Sequence, residues 1–235
     1  MRNTTYIIAT VKSWNINAYR EIIANYPGHW SLIDNPKDLT EELIRKRNPR
    51  YLFFPHWSHR VPANILNLVE CVGFHETDLP YGRGGSPIQN LIARGHAETM
   101  ISAVRMTEEI DAGPVYLKHR LSLEGLAEEI FIRTSKIIAK MILEIVKKEP
   151  VPKEQEGEAT AFKRRTPEQS KISGELKQLN ELYDHIRMLD ASGYPRAFIR
   201  LGCFKFEIAR PALRSNAIEA DIRITRISEE GEDKK

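Results

Sequence analysis

The stretch Phe74-His75-Glu76-Thr77-Asp78-Leu79-Pro80-Tyr81-Gly82-Arg83-Gly84-Gly85-Ser86-Pro87 sets a histidine at what reads as a strand end. Behind it comes a loop of prolines and glycines with a single arginine. Asp111 follows thirty-six positions later, inside Glu109-Ile110-Asp111-Ala112-Gly113-Pro114 and again just ahead of a strand-like run. A free imidazole titrates near neutrality, so small perturbations make it a base or an acid. A carboxylate beside it can orient the ring and stabilise its charged form. His75 and Asp111 therefore read as a proton-transfer pair, provided the fold brings them together. A histidine that merely caps a strand is the plain alternative.

The elements that must position this pair alternate in type. Residues 6–11, 29–33, 50–54 and 71–75 read as strands. Residues 16–26, 39–47 and 62–68 read as helices, the first stopped by Pro27-Gly28. A helix over 86–93, strands over 99–106 and 115–121, and a long amphipathic helix over 126–148 complete the pattern. It predicts an α/β fold with a Rossmann-like, mostly parallel twisted sheet and helices on both faces. Residues 1–150 form the expected catalytic core and 151–172 a polar linker crossing the surface. Residues 173–235 form a small C-terminal β-containing appendage: a helix near 176–189, strands near 197–206 and 217–226, and a polar tail at 229–235. Its apolar strands fit either a core of their own or a dimer contact.

Sheets of this kind gather ligands outside the carboxyl ends of their strands. That rule puts the loop 13–15 after the first strand, the loop 55–61 after the third, and His75 on one rim. Asp111 joins them if its own loop folds back.

Other motifs weigh less. The run Tyr81 to Ser86 lacks both the phosphate-loop ending and the spaced glycines of dinucleotide binding. It reads either as a tight turn with positive φ or as backbone that approaches a ligand, with Arg83 holding the loop or an anion. His56-X-X-His59 has no further ligands at a recognisable spacing, so no metal is expected. Cys71 and Cys203 read as two buried, reduced thiols. The chain of 235 residues carries a net charge of +3, without the basic clustering that marks nucleic-acid binding. No apolar run could cross a bilayer, and the N-terminus does not read as a signal peptide. The expectation is a cytoplasmic protein with neither membrane nor nucleic-acid partners.

His75, Leu79-Pro80, Arg83-Gly84, Pro87 and Asp111-Ala112-Gly113 match, in order and spacing, the motif of the 10-formyltetrahydrofolate-dependent formyltransferases. From about residue 6 to 196 the chain resembles that family's catalytic core. The resemblance implies the formyltransferase fold, N10-formyltetrahydrofolate as co-substrate without a metal, and His75 and Asp111 as catalytic residues. It also implies a folate site at Trp57, Ser58, Val61, Met106 and Asp111. One departure stands out: Gly73 occupies the position where the family usually has an asparagine that donates to the developing oxyanion. A backbone N–H, the His75 imidazolium or a water could serve instead, or activity has been lost.

Within the family, the run Thr77 to Leu91, with Ser13-Trp14-Asn15 and Tyr194-Pro195-Arg196-Ala197-Phe198, looks closest to the nucleotide-sugar branch of the pseudaminic-acid pathway. This resemblance implies a UDP-linked 4-amino sugar as acceptor, lined by Lys12, Trp14, Asn15, Tyr81, Arg83, Gln89 and Asn90. The large C-terminal barrel of the tRNA-formylating enzymes looks absent, which argues against tRNA. A different amine, such as an amino acid or an aminoacyl carrier, is the rival acceptor. An inactive folate- or nucleotide-binding scaffold is another.

Overall fold

The computed structural model describes residues 4–227. In chain order the elements are β1 Thr5–Ala9, α1 Ser13–Glu21, β2 His29–Ile33, α2 Glu41–Arg47, β3 Tyr51–Phe54, α3 Ala63–Leu68 and β4 Cys71–His75. There follow β5 Arg83–Gly84, α4 Pro87–Ile92, β6 Glu98–Arg105, β7 Val115–Ser122, α5 Ala127–Lys148 and β8 Ala161–Phe162. The chain continues with α6 Leu179–Arg187, β9 Ala197–Leu201, β10 Phe204–Leu213 and β11 Ile218–Arg226. Two compact units result. One holds residues 4–87 with 98–122 and 131–163; the other holds 88–97, 123–130 and 164–227.

The first unit is built on a six-stranded sheet of order β2-β1-β3-β4-β6-β7. Its first four strands are parallel, whereas β6 and β7 run antiparallel. Side chains alternate across a strand. Ile7 and Ala9, Leu52 and Phe54, and Cys71 therefore share one face with Ile44 of α2 and Ile65 of α3. Tyr6, Phe53 and Phe74 lie on the other, linked through stacked rings with Trp30. That face also receives α5, where Tyr26 Oη donates to the carbonyl of Ala139 over 3.1 Å. This is the expected mixed, mostly parallel sheet with helices on both faces.

The sequence placed a loop at 13–15, but Ser13, Trp14 and Asn15 form the first turn of α1. The strand ends at Ala9, so three connecting residues suffice to start the helix. It ends at Glu21, and residues 23–25 form a 3₁₀ turn instead of continuing it.

In the second unit, β11-β10-β9 form an antiparallel sheet with α6 packed on β10. The single strand read over 197–206 is in fact a hairpin, turned at Gly202 with φ +56° and Cys203. Cys203 is therefore exposed, which corrects the expectation of two buried thiols. Cys71 is buried, and burial pushes its thiol up to about 12. Ile199, Leu201, Phe204, Ile222 and Ile224 share one exposed face of this sheet by register. The tail at 229–235 lies outside the described residues. No described helix is long and apolar enough to cross a membrane.

Candidate active site

His75 closes β4 and is buried. Its strand lies between β3 and β6, both at full hydrogen-bonded register. Asp111 has farther to travel. The β6–β7 hairpin turns at the opposite end of β4, since Arg105 pairs with Val72 while His75 pairs with Ser102. The hairpin loop folds back along β4. The N–H of Met106 donates to the carbonyl of Cys71 over 2.9 Å. The Met106 side chain then lies over Gly73, where an added Cβ would come within 3.2 Å of Met106 Cγ. At the end of this path Asp111 Oδ2 stands 3.4 Å from His75 Nδ1. The absent side chain at residue 73 thus lets the loop lie close to the strand.

Two backbone features fix the Asp111 turn. Asp111 has φ +55°, a left-handed conformation that Asp tolerates better than most residues. A Cβ on Gly113 would sit 1.9 Å from the carbonyl oxygen of Arg105, so only glycine lets the turn close on β6.

The glycine loop supplies the rest of the His75 environment. Gly82 O lies 2.8 Å from His75 Nε2, and Gly84 N–H donates to Asp111 Oδ2 over 2.9 Å. Both ring nitrogens thus face acceptors, Gly82 O at one and Asp111 Oδ2 at the other. The loop is held by residues 153–162, the segment read as a linker crossing the surface. Thr160 Oγ1 accepts from Gly82 N–H over 2.7 Å, and β8 pairs in parallel with β5. Cβ atoms on Gly82 or Gly84 would meet Phe162 at 2.6 and 2.7 Å. These glycines serve close approach of the protein's own backbone as well as positive φ. Arg83 holds the loop: its Nε and an Nη donate to Gln155 Oε1 over 3.1 and 2.9 Å.

Glu76, one residue beyond His75, points to a different set of partners. His56 Nε2 lies 2.8 Å from its carboxylate. Asn15 Nδ2 is 2.9 Å from His56 Nδ1, and the Trp14 indole N–H donates to the same atom over 3.3 Å. An indole only donates, so Nδ1 accepts and the proton of His56 sits on Nε2, toward Glu76. Trp14 also stacks on Phe131 at 4.8 Å. Burial opposes ionisation of Glu76, but His56 beside it, with a smaller contribution from His75 and a backbone N–H, outweighs it and holds the carboxyl below the ordinary range. The loops after β1 and β3 do meet on one rim here, but through α1 and His56, with the polar ends of Trp14 and Asn15 engaged inside the protein.

Of the remaining expected positions, Trp57, Val61 and Met106 pack on one hydrophobic cluster, and the others lie apart from it. Val61 belongs to the core and Ser58 is exposed. Trp57 packs its ring edge-on against Phe54 and keeps a buried indole N–H with no acceptor among the described residues. Lys12 lies 5.7 Å over the Trp14 ring, and Tyr81 packs edge-on against Phe162. Gln89 and Asn90 belong to the second unit, where Gln89 donates to the carbonyl of Met188 over 3.2 Å. His59 packs against Trp57, and no metal-binding group of three ligands occurs among the described residues. Sequence reasoning passed over Glu76, His56 as its partner, and Gln155. A charged residue directly after a buried strand was the only available signal for the first. Gln155 had none.

A solved methionyl-tRNA formyltransferase from Clostridium thermocellum is 49% identical, with a TM-score of 0.90 over 95% of this chain and 99% of that one. The chain belongs to the formyltransferase family. A family model described as the methionyl-tRNA formyltransferase C-terminal domain matches residues 167–225. The curated methionyl-tRNA formyltransferase of Mesoplasma florum is 33% identical over 183 residues, 74% of this chain and 58% of that relative. The chain thus spans less than two thirds of that relative's length. HypX from Aquifex aeolicus, solved with tetrahydrofolic acid, shares the fold at 15% identity and a TM-score of 0.72, over 88% of this chain and 37% of that one. The family's formyl donor is N10-formyltetrahydrofolate, as the motif implied.

These likenesses overturn two expectations. The nucleotide-linked sugar acceptor fails, because the Clostridium and Mesoplasma relatives are both methionyl-tRNA enzymes. The exclusion of nucleic acid fails for the same reason. The segment read as a small appendage in place of a tRNA enzyme's barrel is the segment that matches the tRNA enzymes' C-terminal model. The physical reason is plain. Residues around a histidine and a carboxylate report how an amine is formylated, and the same chemistry serves whatever carries the amine.

Proposed function

We propose that this formyltransferase moves a formyl group from N10-formyltetrahydrofolate to the amino group of methionyl-tRNA. The observation that carries the chemistry is the His75–Asp111 pair, 3.4 Å apart, with Asp111 Oδ2 also bonded to the Gly84 N–H. The acceptor is inferred from the likeness to the Clostridium enzyme along nearly the whole of both chains.

The donor fits the residues present. Trp57 offers a buried indole N–H that lacks an acceptor among the described residues, and a pterin is rich in acceptors. Trp57, Ser58, Val61, Met106 and Asp111 would hold it, and once bound it supplies the electrophilic formyl carbon. His75 takes the proton that the amine gives up as it forms its new bond. Asp111 orients the ring and balances its positive charge, and the ring returns the proton to the folate N10 as the bond between N10 and the formyl carbon breaks. With no side chain at Gly73, the charge arising on the formyl oxygen falls to the imidazolium N–H of His75.

The test is a transfer assay with 10-formyltetrahydrofolate and methionyl-tRNA, read by mass spectrometry of the aminoacyl group. Formylmethionine is the expected product. Formylation of free methionine or of an amino sugar, with methionyl-tRNA untouched, would overturn the acceptor. Gly73 favours one second reading, a scaffold that binds folate without turnover. Saturable folate binding with no transfer to any amine would establish it.

A further inference from the structure

Residues 153–162 run past both halves of the His75 site. Lys153 pairs with Val115 through reciprocal backbone bonds of 2.7 and 2.9 Å. That antiparallel bridge sets Gln155 beside Gly113, two residues away on each strand. The Gln155 amide is then fully used. Its Nε2 donates to the carbonyls of Asp111 and Gly113, each over 2.8 Å. Its Oε1 accepts twice from Arg83, the guanidinium that anchors the glycine loop. Gln155 is half-buried between exposed neighbours, and it is the side chain that bonds to both the Asp111 turn and the arginine of the glycine loop.

We propose that Gln155 is a positioning residue for the transfer reaction. It holds Asp111 in its left-handed conformation against His75 by tying the aspartate's turn to the glycine loop. This inference rests on the formyl-transfer reading for its kinetic consequences, though not for its geometry. Only an amide serves: the two carbonyls need a donor and Arg83 needs an acceptor. A carboxylate keeps the second function and turns the first into a contact between acceptors. A loosened turn lets Asp111 drift from His75, and a misplacement of about 1 Å costs about 100-fold in rate.

The experiment compares Gln155→Ala and Gln155→Glu with the unaltered protein, alone and combined with Asp111→Asn. Each is read by single-turnover transfer, by KM for both substrates, and by the NMR resonances of the His75 ring. Gln155→Ala should lower kcat about 10- to 100-fold with KM changed less than about twofold. Gln155→Glu should not rescue it. In the Asp111→Asn background Gln155→Ala should cost less than about twofold more, because its effect passes through Asp111. The His75 ring resonances in Gln155→Ala should move toward those of Asp111→Asn. An equal loss in both backgrounds, or unmoved His75 resonances in a folded variant, overturns the proposal. If the unaltered protein formylates nothing, the functional reading fails by itself, and the His75 resonances alone decide the role of Gln155.

Discussion

Two histidine–carboxylate pairs sit a residue apart in the chain, and they differ in what surrounds them. His56 and Glu76 form a closed set: Trp14 and Asn15 saturate one ring nitrogen and Glu76 takes the other. His75 and Asp111 form an open one, with Asp111 more exposed than Glu76 and both held by loops rather than by core side chains. Consecutive residues at the end of β4 send His75 and Glu76 to these separate partners. The lesson is that pairing of a histidine with a carboxylate does not by itself mark catalysis. A pair buried among side chains of the protein stabilises the rim. A pair with an accessible carboxylate and backbone acceptors can change partners during a reaction.

The largest expected effects test that contrast directly. His75→Asn or Asp111→Asn should lower kcat at least about 100-fold while leaving thermal stability nearly unchanged. His56→Asn should instead lower stability and leave a measurable kcat. If all three substitutions abolished turnover alike, the distinction between the pairs would be lost.

Next come the devices that hold each pair. Glu76→Ala leaves the His56 Nε2–H buried without its acceptor and should cost about 1–3 kcal/mol in urea unfolding. Gly113→Ala forces a Cβ against the Arg105 carbonyl. It should cost about 1–3 kcal/mol and lower kcat as well, since the turn carries Asp111. Gly174→Ala is the control, because nothing lies within 4 Å of its added Cβ. A Gly113→Ala protein as active and as stable as that control would refute the packed turn.

The smallest effect is one of pH. Glu76 is held below the ordinary carboxylate range in the folded protein. Its contribution to stability is therefore complete above about pH 4.3, the ordinary value, and is lost as pH falls through its lowered folded value. The stability gap between the unaltered protein and Glu76→Gln should narrow below about pH 4. A gap that stays constant or widens in acid would mean that Glu76 is not ionised in the native state.

Much of this was legible in the sequence. Alternation of apolar runs located the strands of the parallel half, and β4 was placed at both ends, because a buried strand must be apolar and end at its turn. The spacing of His75, the glycine loop and Asp111 pointed to a pair that the fold does bring together. The start of α1 was misplaced by three residues, since Ser13-Trp14-Asn15 carries no side-chain cap to announce it. The acceptor was misread because loop residues near the reacting atoms do not encode what carries the amine.

By itself the sequence pointed to a histidine and an aspartate suited to proton exchange and to the alternation of the core strands. The tertiary structure decided that Asp111 reaches His75 at all, since its hairpin turns at the far end of β4 and must fold back over Gly73. It also decided that His56 belongs to Glu76 rather than to a metal, and that Gln155, in a polar stretch with no local pattern, ties the site together. The reason is range. Local pattern follows from the period of a strand or helix, whereas these contacts join residues 20 to 72 positions apart that only packing brings within a hydrogen bond.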